Sequence, residues 1–175
     1  MSRVVLPGHP LTDGPTALRP WRDSDAGSLV DACRDPEIAR WTRVPAGYGD
    51  THARLFLLQR YDAVLSGTAV PFAIVPGADP DQALLGSIAL TRLDWEQRRG
   101  EIGYWLAGWG RGQGHATRSV RLIAAWAFAV LGLERLELVV ATANLASRRV
   151  AERAGFSAEA TLRGYMRGAD GRPQD

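Results

Sequence analysis

The chain has 175 residues, 46% hydrophobic and 23% charged. That is enough for one domain around a sizeable core, and too apolar for a disordered chain. All 21 basic residues are arginine, so Schiff-base chemistry, covalently held pyridoxal phosphate and a Walker phosphate loop are excluded. The net charge of +2 is mild and no arginine-rich tract marks a nucleic-acid surface, but residues 1–87 sum to −2 and residues 88–175 to +4, a half that attracts anions.

Residues 1–15, with Pro7, Pro10, Gly14 and Pro15, read as an irregular arm, and residues 16–175 as a single domain. Thr16 to Trp21 reads as a first strand. Asp23 or Ser24 caps a helix with Leu29, Val30 and Cys33 on one face. Asp35-Pro36 stops it and starts a short turn through Trp41. After Gly47 and Gly49, Asp50 or Thr51 caps a longer helix whose apolar face is Leu55, Leu58, Tyr61, Val64 and Leu65. Strands follow at Val70–Val75, Ala83–Arg92 and Glu101–Leu106, the first two joined by a turn over 76–81. A glycine-rich turn over 108–114 leads into a helix from His115 or Ala116 to Leu131, with Gly132 as its C-terminal glycine. Leu136–Ala141 reads as a strand, Asn144 caps a helix through Arg153 that Gly155 ends, and Phe156–Tyr165 reads as a last strand.

Cys33 is the one cysteine, which rules out an intramolecular disulfide and a cysteine-based metal cluster and fits a reducing cytoplasm. No metal site is expected. There is no signal-peptide core, and the longest apolar run, Leu122 to Leu133, falls far short of a bilayer span. His9 and His52 receive no role.

Arg111-Gly-Gln-Gly-His-Ala116 joins a strand to a long helix. Its glycines permit positive φ and close approach of a ligand, the helix start offers free N–H groups, and Arg111 adds a charge-assisted donor. Together these make a phosphate cradle. A dinucleotide fingerprint fails, because its last glycine is missing and Val139-Val-Ala-Thr-Ala143 lacks the ribose-binding acid.

The loop resembles the [Arg/Gln]-x-x-Gly-x-[Gly/Ala] loop of the GNAT N-acetyltransferases, with Arg111, Gly114 and Ala116 at the matching positions. Glu101-Ile-Gly-Tyr-Trp-Leu106 before it, and Asn144-Leu-Ala-Ser147 and Ala154-Gly155-Phe156 after it, resemble the RimJ/RimL-type branch. The resemblance runs from Leu18 to about Arg167. It implies an α/β (α+β) fold in which a mixed central sheet with a splayed parallel strand pair is flanked by helices. It also implies acetyl-CoA as cosubstrate and an amine acceptor. By resemblance Trp105, Leu106 and Ala107 form the strand edge for the pantetheine arm. The amides of Gly112, Gln113, Gly114, His115, Ala116 and Thr117 hold the pyrophosphate, with the His115 ring turned to solvent or phosphate. Asn144 caps its helix and touches the arm.

Glu101 is the expected base. The family's helix tyrosine, the usual acid, is replaced by Ala151, and Ser147 is the branch's substitute donor to the departing thiolate. Trp21, Trp41, Trp105 and Trp109 are candidates to wall the acceptor groove. Relatives continue past a turn like Gly164–Arg172 into one more apolar strand, whereas this sequence stops at Asp175 with a polar tail. Either the chain is truncated, or the strand is absent, or a partner supplies its place, and a missing strand would leave an edge open to homodimer pairing. The implied acceptor is a protein N-terminal amine. The alternatives are a small amine (aminoglycoside, polyamine or amino acid), a non-catalytic acyl-CoA-binding module and a nucleotide-binding regulator. No nucleic-acid or membrane partner is expected.

Overall fold

A computed structural model describes residues 6–45, 47–79, 81, 83–168 and 171–175. Parts of the expected arm, of the 76–81 turn and of the Gly164–Arg172 turn therefore lie outside the described residues. Six strands form one sheet in the order β1 (Leu11–Asp13), β2 (Thr16–Arg19), β3 (Val70–Pro76), β4 (Gly86–Asp94), β5 (Arg99–Leu106) and β6 (Arg135–Glu137). Each neighbouring pair runs antiparallel except β5 and β6, which are parallel. The arm is thus not wholly irregular. Gly14-Pro15 closes a tight hairpin that pairs Leu11 with Leu18.

Strand alternation sorts the core onto two faces. Leu18, Phe72, Ile74, Ile88 and Ile102 point to one side, where they meet Val120, Ile123 and Trp126 of α4 (His115–Ala129). Phe72 meets Trp126 edge to face with ring centroids 5.6 Å apart. Ala17, Ala73 and Val75 point to the other side, against α1 (Ala26–Cys33) and α3 (Asp50–Ser66). The short α2 (Pro36–Trp41) links those two helices, and α5 (Leu145–Ala154) packs beside α4. Cys33 is buried in the second face, where desolvation pushes its thiol up to about 12. This is the expected core cysteine, inert as a nucleophile.

Four expectations drawn from local pattern are corrected by the structure. The stripe on α3 that faces inward contains Ala53 and Leu57, while Leu55, Leu58, Tyr61 and Leu65 are exposed. Small Ala53 lets the helix approach α1 closely, so packing selects a face the larger side chains do not define. Gly49, not Asp50 or Thr51, is its N-cap, and its N–H donates to Nδ1 of His52 at 3.3 Å. Phe156–Tyr165 forms no strand, having no neighbouring ladder to join. The chain instead closes a two-stranded hairpin of β7 (Met166–Arg167) and β8 (Pro173–Gln174). At the α1 start, Asp25 rather than Asp23 or Ser24 organises the turn. Its carboxylate accepts from the Arg22 amide and two bonds of 2.7 and 2.8 Å from buried Arg19.

His115 is also placed against expectation. Its ring is buried, with Nδ1 2.9 Å from Thr16 Oγ1. Burial first, and then the nearby Arg118 charge, pushes its pKa below the ordinary histidine value. Below about pH 6.5 the unfolded chain therefore binds a proton the folded chain resists, and stability falls as pH falls. The melting temperature is expected to drop between about pH 7 and about pH 5, and His115→Gln should flatten that drop. A parallel decline in both proteins would refute the assignment. No helix of the described residues is long and apolar enough to cross a membrane.

Candidate active site

The sheet opens where β5 and β6 part. Their parallel pairing covers Arg99↔Arg135, Gly100↔Leu136 and Glu101↔Glu137 and then stops. The strand expected over Leu136–Ala141 is cut to Arg135–Glu137, while β5 continues alone to Leu106. Beyond Glu101 the side of β5 away from β4 therefore has no strand partner among the described residues.

Backbone parity says which residues own that edge. The Arg98 carbonyl accepts from Glu134 and Arg135 on the β6 side, while the Ala107 amide donates to Leu85 O at 2.9 Å on the β4 side. Even-numbered residues of β5 thus turn their backbone toward β6, and odd-numbered residues toward β4. The open edge belongs to Tyr104 and Leu106. Trp105 and Ala107, expected to share it with Leu106, face β4 instead.

Side chains follow the same alternation, on the two faces of the sheet. Ile102, Tyr104 and Leu106 pack on the α4 side, and Trp105 packs with the α1 and α3 side. Glu101 shares the Trp105 face. Between them, nothing lies within 4 Å of where a Gly103 Cβ would stand. The carboxylate of Glu101 therefore faces open space on the side of α1 and α3. It accepts 2.9 Å from Arg92 Nη1, whose guanidinium also donates 3.0 Å to Tyr165 Oη. Arg92 sits at the β4 irregularity with φ +49°, a conformation that aims a side chain at local cost. Burial raises the Glu101 pKa, the Arg92 charge opposes this, and Glu137 adds to the rise. Arg92, Asp94, Arg99, Gly100, Glu101 and Glu137 line a shallow polar depression there.

On the opposite face, Ser147 lies in the first turn of α5. Asn144 caps that helix, its Oδ1 accepting from the Ser147 amide at 3.1 Å. Ser147 Oγ is 2.8 Å from Tyr104 Oη, a contact across the opening that sequence reading missed. Counting alternation from Glu101 along β5 separates the two faces, but only the fold brings α5 over Tyr104.

The glycine turn lies between the end of β5 and α4. Gly112 and Gly114 adopt φ +77° and +81°, and Gly114 is the N-cap of α4. Among the described residues, no carbonyl or side chain accepts from the amides of residues 112–117. A Cβ at Gly112 would meet nothing, and one at Gly114 only Arg118 Nε at 4.0 Å. Open donors at a helix start with clear space above them fit an anionic phosphate group. Ala116 is buried beneath, and Gln113 bonds the Trp109 carbonyl at 3.0 Å.

Arg111 does not join this cradle. Its guanidinium donates to Leu106 O at 2.9 and 3.2 Å and pairs with Asp35 at 2.8 Å. Asp35 also caps α2 through the Glu37 amide at 2.9 Å. The residue expected to contact phosphate thus braces the turn against β5 and α2. Of the four tryptophans expected to wall the acceptor side, Trp21 is buried in the core of that face and Trp105 packs against it. Trp109 is exposed and donates to Leu84 O at 2.9 Å, and Trp41 donates to Glu37 at 3.1 Å. Among the described residues, no three His, Cys, Asp or Glu side chains are grouped so that they could hold a metal ion.

The sheet parts after three parallel residue pairs, with unpaired turn amides near the end of β5. Residues 16–157 match the acetyltransferase (GNAT) domain, and the chain belongs to that family. It is 41% identical over 83 residues to the Bacillus subtilis (strain 168) protein named "Putative ribosomal N-acetyltransferase YdaF", across 47% of this chain and 45% of that one. The match thus spans about half the length of that relative. Among solved structures, Mycobacterium smegmatis RimJ in complex with CoA-disulfide aligns with TM-score 0.79 at 25% identity, covering 92% of this chain and 78% of that one. Spermidine N-acetyltransferase from Vibrio cholerae, in complex with CoA and spermine, has the same fold with TM-score 0.77 at 19% identity, over 92% and 91% of the chains.

Proposed function

We propose that this protein moves the acetyl group of acetyl-CoA to the N-terminal amine of a protein or peptide, by direct attack in a ternary complex. One observation carries the reading. The strand beside the split sheet presents a half-buried carboxylate on one face and a hydroxyl pair on the other, so both partners of a transfer can meet through the gap.

Acetyl-CoA supplies an activated acetyl thioester. The chain's residues do the rest. The amides of residues 112–117 hold phosphate at the start of α4, while the backbone of Tyr104 and the Leu106 amide offer the pairing edge. Glu101 accepts the proton that an ammonium must lose before it attacks. Its raised pKa makes it a better base near neutrality than an ordinary surface carboxylate. Ser147, on the opposite face, places a hydroxyl where negative charge gathers on the departing group.

A thiol-release assay with acetyl-CoA tests the reading. Peptide N-termini should support turnover above the hydrolysis background, and absence of release with every amine class would overturn it. A polyamine acceptor is the second reading. It is supported by the carboxylates of Asp94, Glu101 and Glu137 in one depression and by the acceptor named in the Vibrio cholerae neighbour. Higher kcat/KM for spermidine than for peptides would select it.

A further inference from the structure

We propose that Tyr104 is a positioning residue that aims the Ser147 hydroxyl into the gap between β5 and β6, an inference that rests on the acetyltransferase reading above. The phenol is the stronger acid of the two hydroxyls and hence the better donor. Ser147 is its one hydrogen-bond partner among the described residues, at 2.8 Å. The Tyr104 ring is packed against the α4 side of the core, so the phenol has little freedom to turn elsewhere. With Tyr104 donating to Ser147 Oγ, the serine must point its own hydrogen away from Tyr104. The Asn144 cap fixes the Ser147 backbone at the same time.

The two bonds together orient one O–H. A hydroxyl that accepts from a phenol is also a stronger donor, because hydrogen bonds in a chain polarise one another. Ser147 further lies in the first turn of the ten-residue α5, where the helix dipole favours negative charge.

The chemistry balances without ionising Tyr104. The amine nitrogen forms a bond to the carbonyl carbon and the carbon–sulfur bond breaks. Its electron pair goes to sulfur, one ammonium proton goes to Glu101 before attack, and the second proton that the nitrogen sheds as the amide forms goes to solvent. Ser147 donates a hydrogen bond to the negative sulfur, and solvent supplies the final proton after release. Burial raises the phenol pKa, so Tyr104 keeps its proton and remains a donor throughout. The Tyr104 backbone faces the gap while its side chain supports the far wall. One residue of β5 therefore contributes to holding the arm and to orienting the hydroxyl.

The test is a titration of the CoA thiol bound to the protein, followed by the ultraviolet absorption of the thiolate, and it needs no acceptor. The wild-type protein should hold the bound thiol pKa below that of free CoA. Tyr104→Phe keeps the ring and its packing but should move the pKa back toward the free value. It should also lower kcat about tenfold, the size of one net hydrogen bond, with KM for acetyl-CoA nearly unchanged. Ser147→Ala should do at least as much, and the double variant no more than Ser147→Ala alone. Equal bound-thiol pKa in wild type and Tyr104→Phe would overturn the proposal, as would additive losses in the double variant. A wild-type protein that does not bind CoA would overturn the acetyltransferase reading itself. A wild-type protein that binds CoA with an unshifted thiol would overturn the positioning role alone.

Discussion

Gly114→Asp is expected to reduce acetyl-CoA affinity by about a thousandfold, measured by titration calorimetry. The position is the N-cap of α4 at φ +81°, and aspartate is among the few side chains that tolerate this conformation. The space beside Gly114 is open except for Arg118 Nε, so the added carboxylate stands among the bare amides that the phosphates need. Like charges about 4 Å apart repel by on the order of 4 kcal/mol near a protein surface, which corresponds to about three decades in affinity. Gly114→Asn separates charge from backbone, having the same shape and φ tolerance without the charge. It should lose about tenfold or less. Equal affinity in wild type and Gly114→Asp would remove the turn from the cofactor site.

The second large effect belongs to Glu101. Glu101→Gln should lower kcat by about 10²–10⁴-fold, the range of general-base catalysis, with little change in cofactor affinity. The pH profile supplies the sharper criterion. A base works when deprotonated, so kcat/KM should fall as pH drops through the Glu101 pKa, which burial raises above the ordinary carboxylate value. Arg92 opposes that rise through its charge and its 2.9 Å hydrogen bond. Arg92→Gln should therefore move the acid limb to higher pH, and Glu101→Gln should erase it. An acid limb unchanged in both variants would assign the base elsewhere. The ionic contact also has a role before catalysis. On the proposed role of Glu101, an incoming ammonium would take the place of Arg92, whose 2.9 Å contact holds the carboxylate charged until then.

The parts of this molecule legible in its sequence are those fixed by neighbours along the chain. The β3–β4–β5 meander follows from apolar runs between turns. The α4 start follows from Gly112 and Gly114, and the α5 cap from Asn144. What escaped depends on partners distant in sequence. Nothing local says that Thr16 draws the His115 ring inward, or that Asp35 draws Arg111 away from the turn. The inward stripe of α3 escapes a periodicity count because large residues outvote small Ala53 there. Phe156–Tyr165 has strand-like composition but no ladder to join. The resemblance assigns Trp105, Leu106 and Ala107 together to the open edge, but successive residues of a strand turn their backbone groups opposite ways. One hydrogen bond of known direction, from Ala107 to Leu85, settles it.

The short β5–β6 pairing has a consequence for how occupancy of this protein can be followed. An amide inside a sheet normally exchanges its hydrogen slowly, because a neighbouring strand protects it. Tyr104 and Leu106 belong to a strand paired along its whole length with β4, yet their amides face the unpaired side. In the free protein they should exchange with solvent far faster than Ile88 or Leu90 on the adjacent strand. A ligand that lies along β5 as a substitute strand would slow these two and leave the rest of the sheet as it was. The missing ladder thus gives the molecule two internal reporters that need no label, and they register cofactor arrival whichever amine proves to be the acceptor.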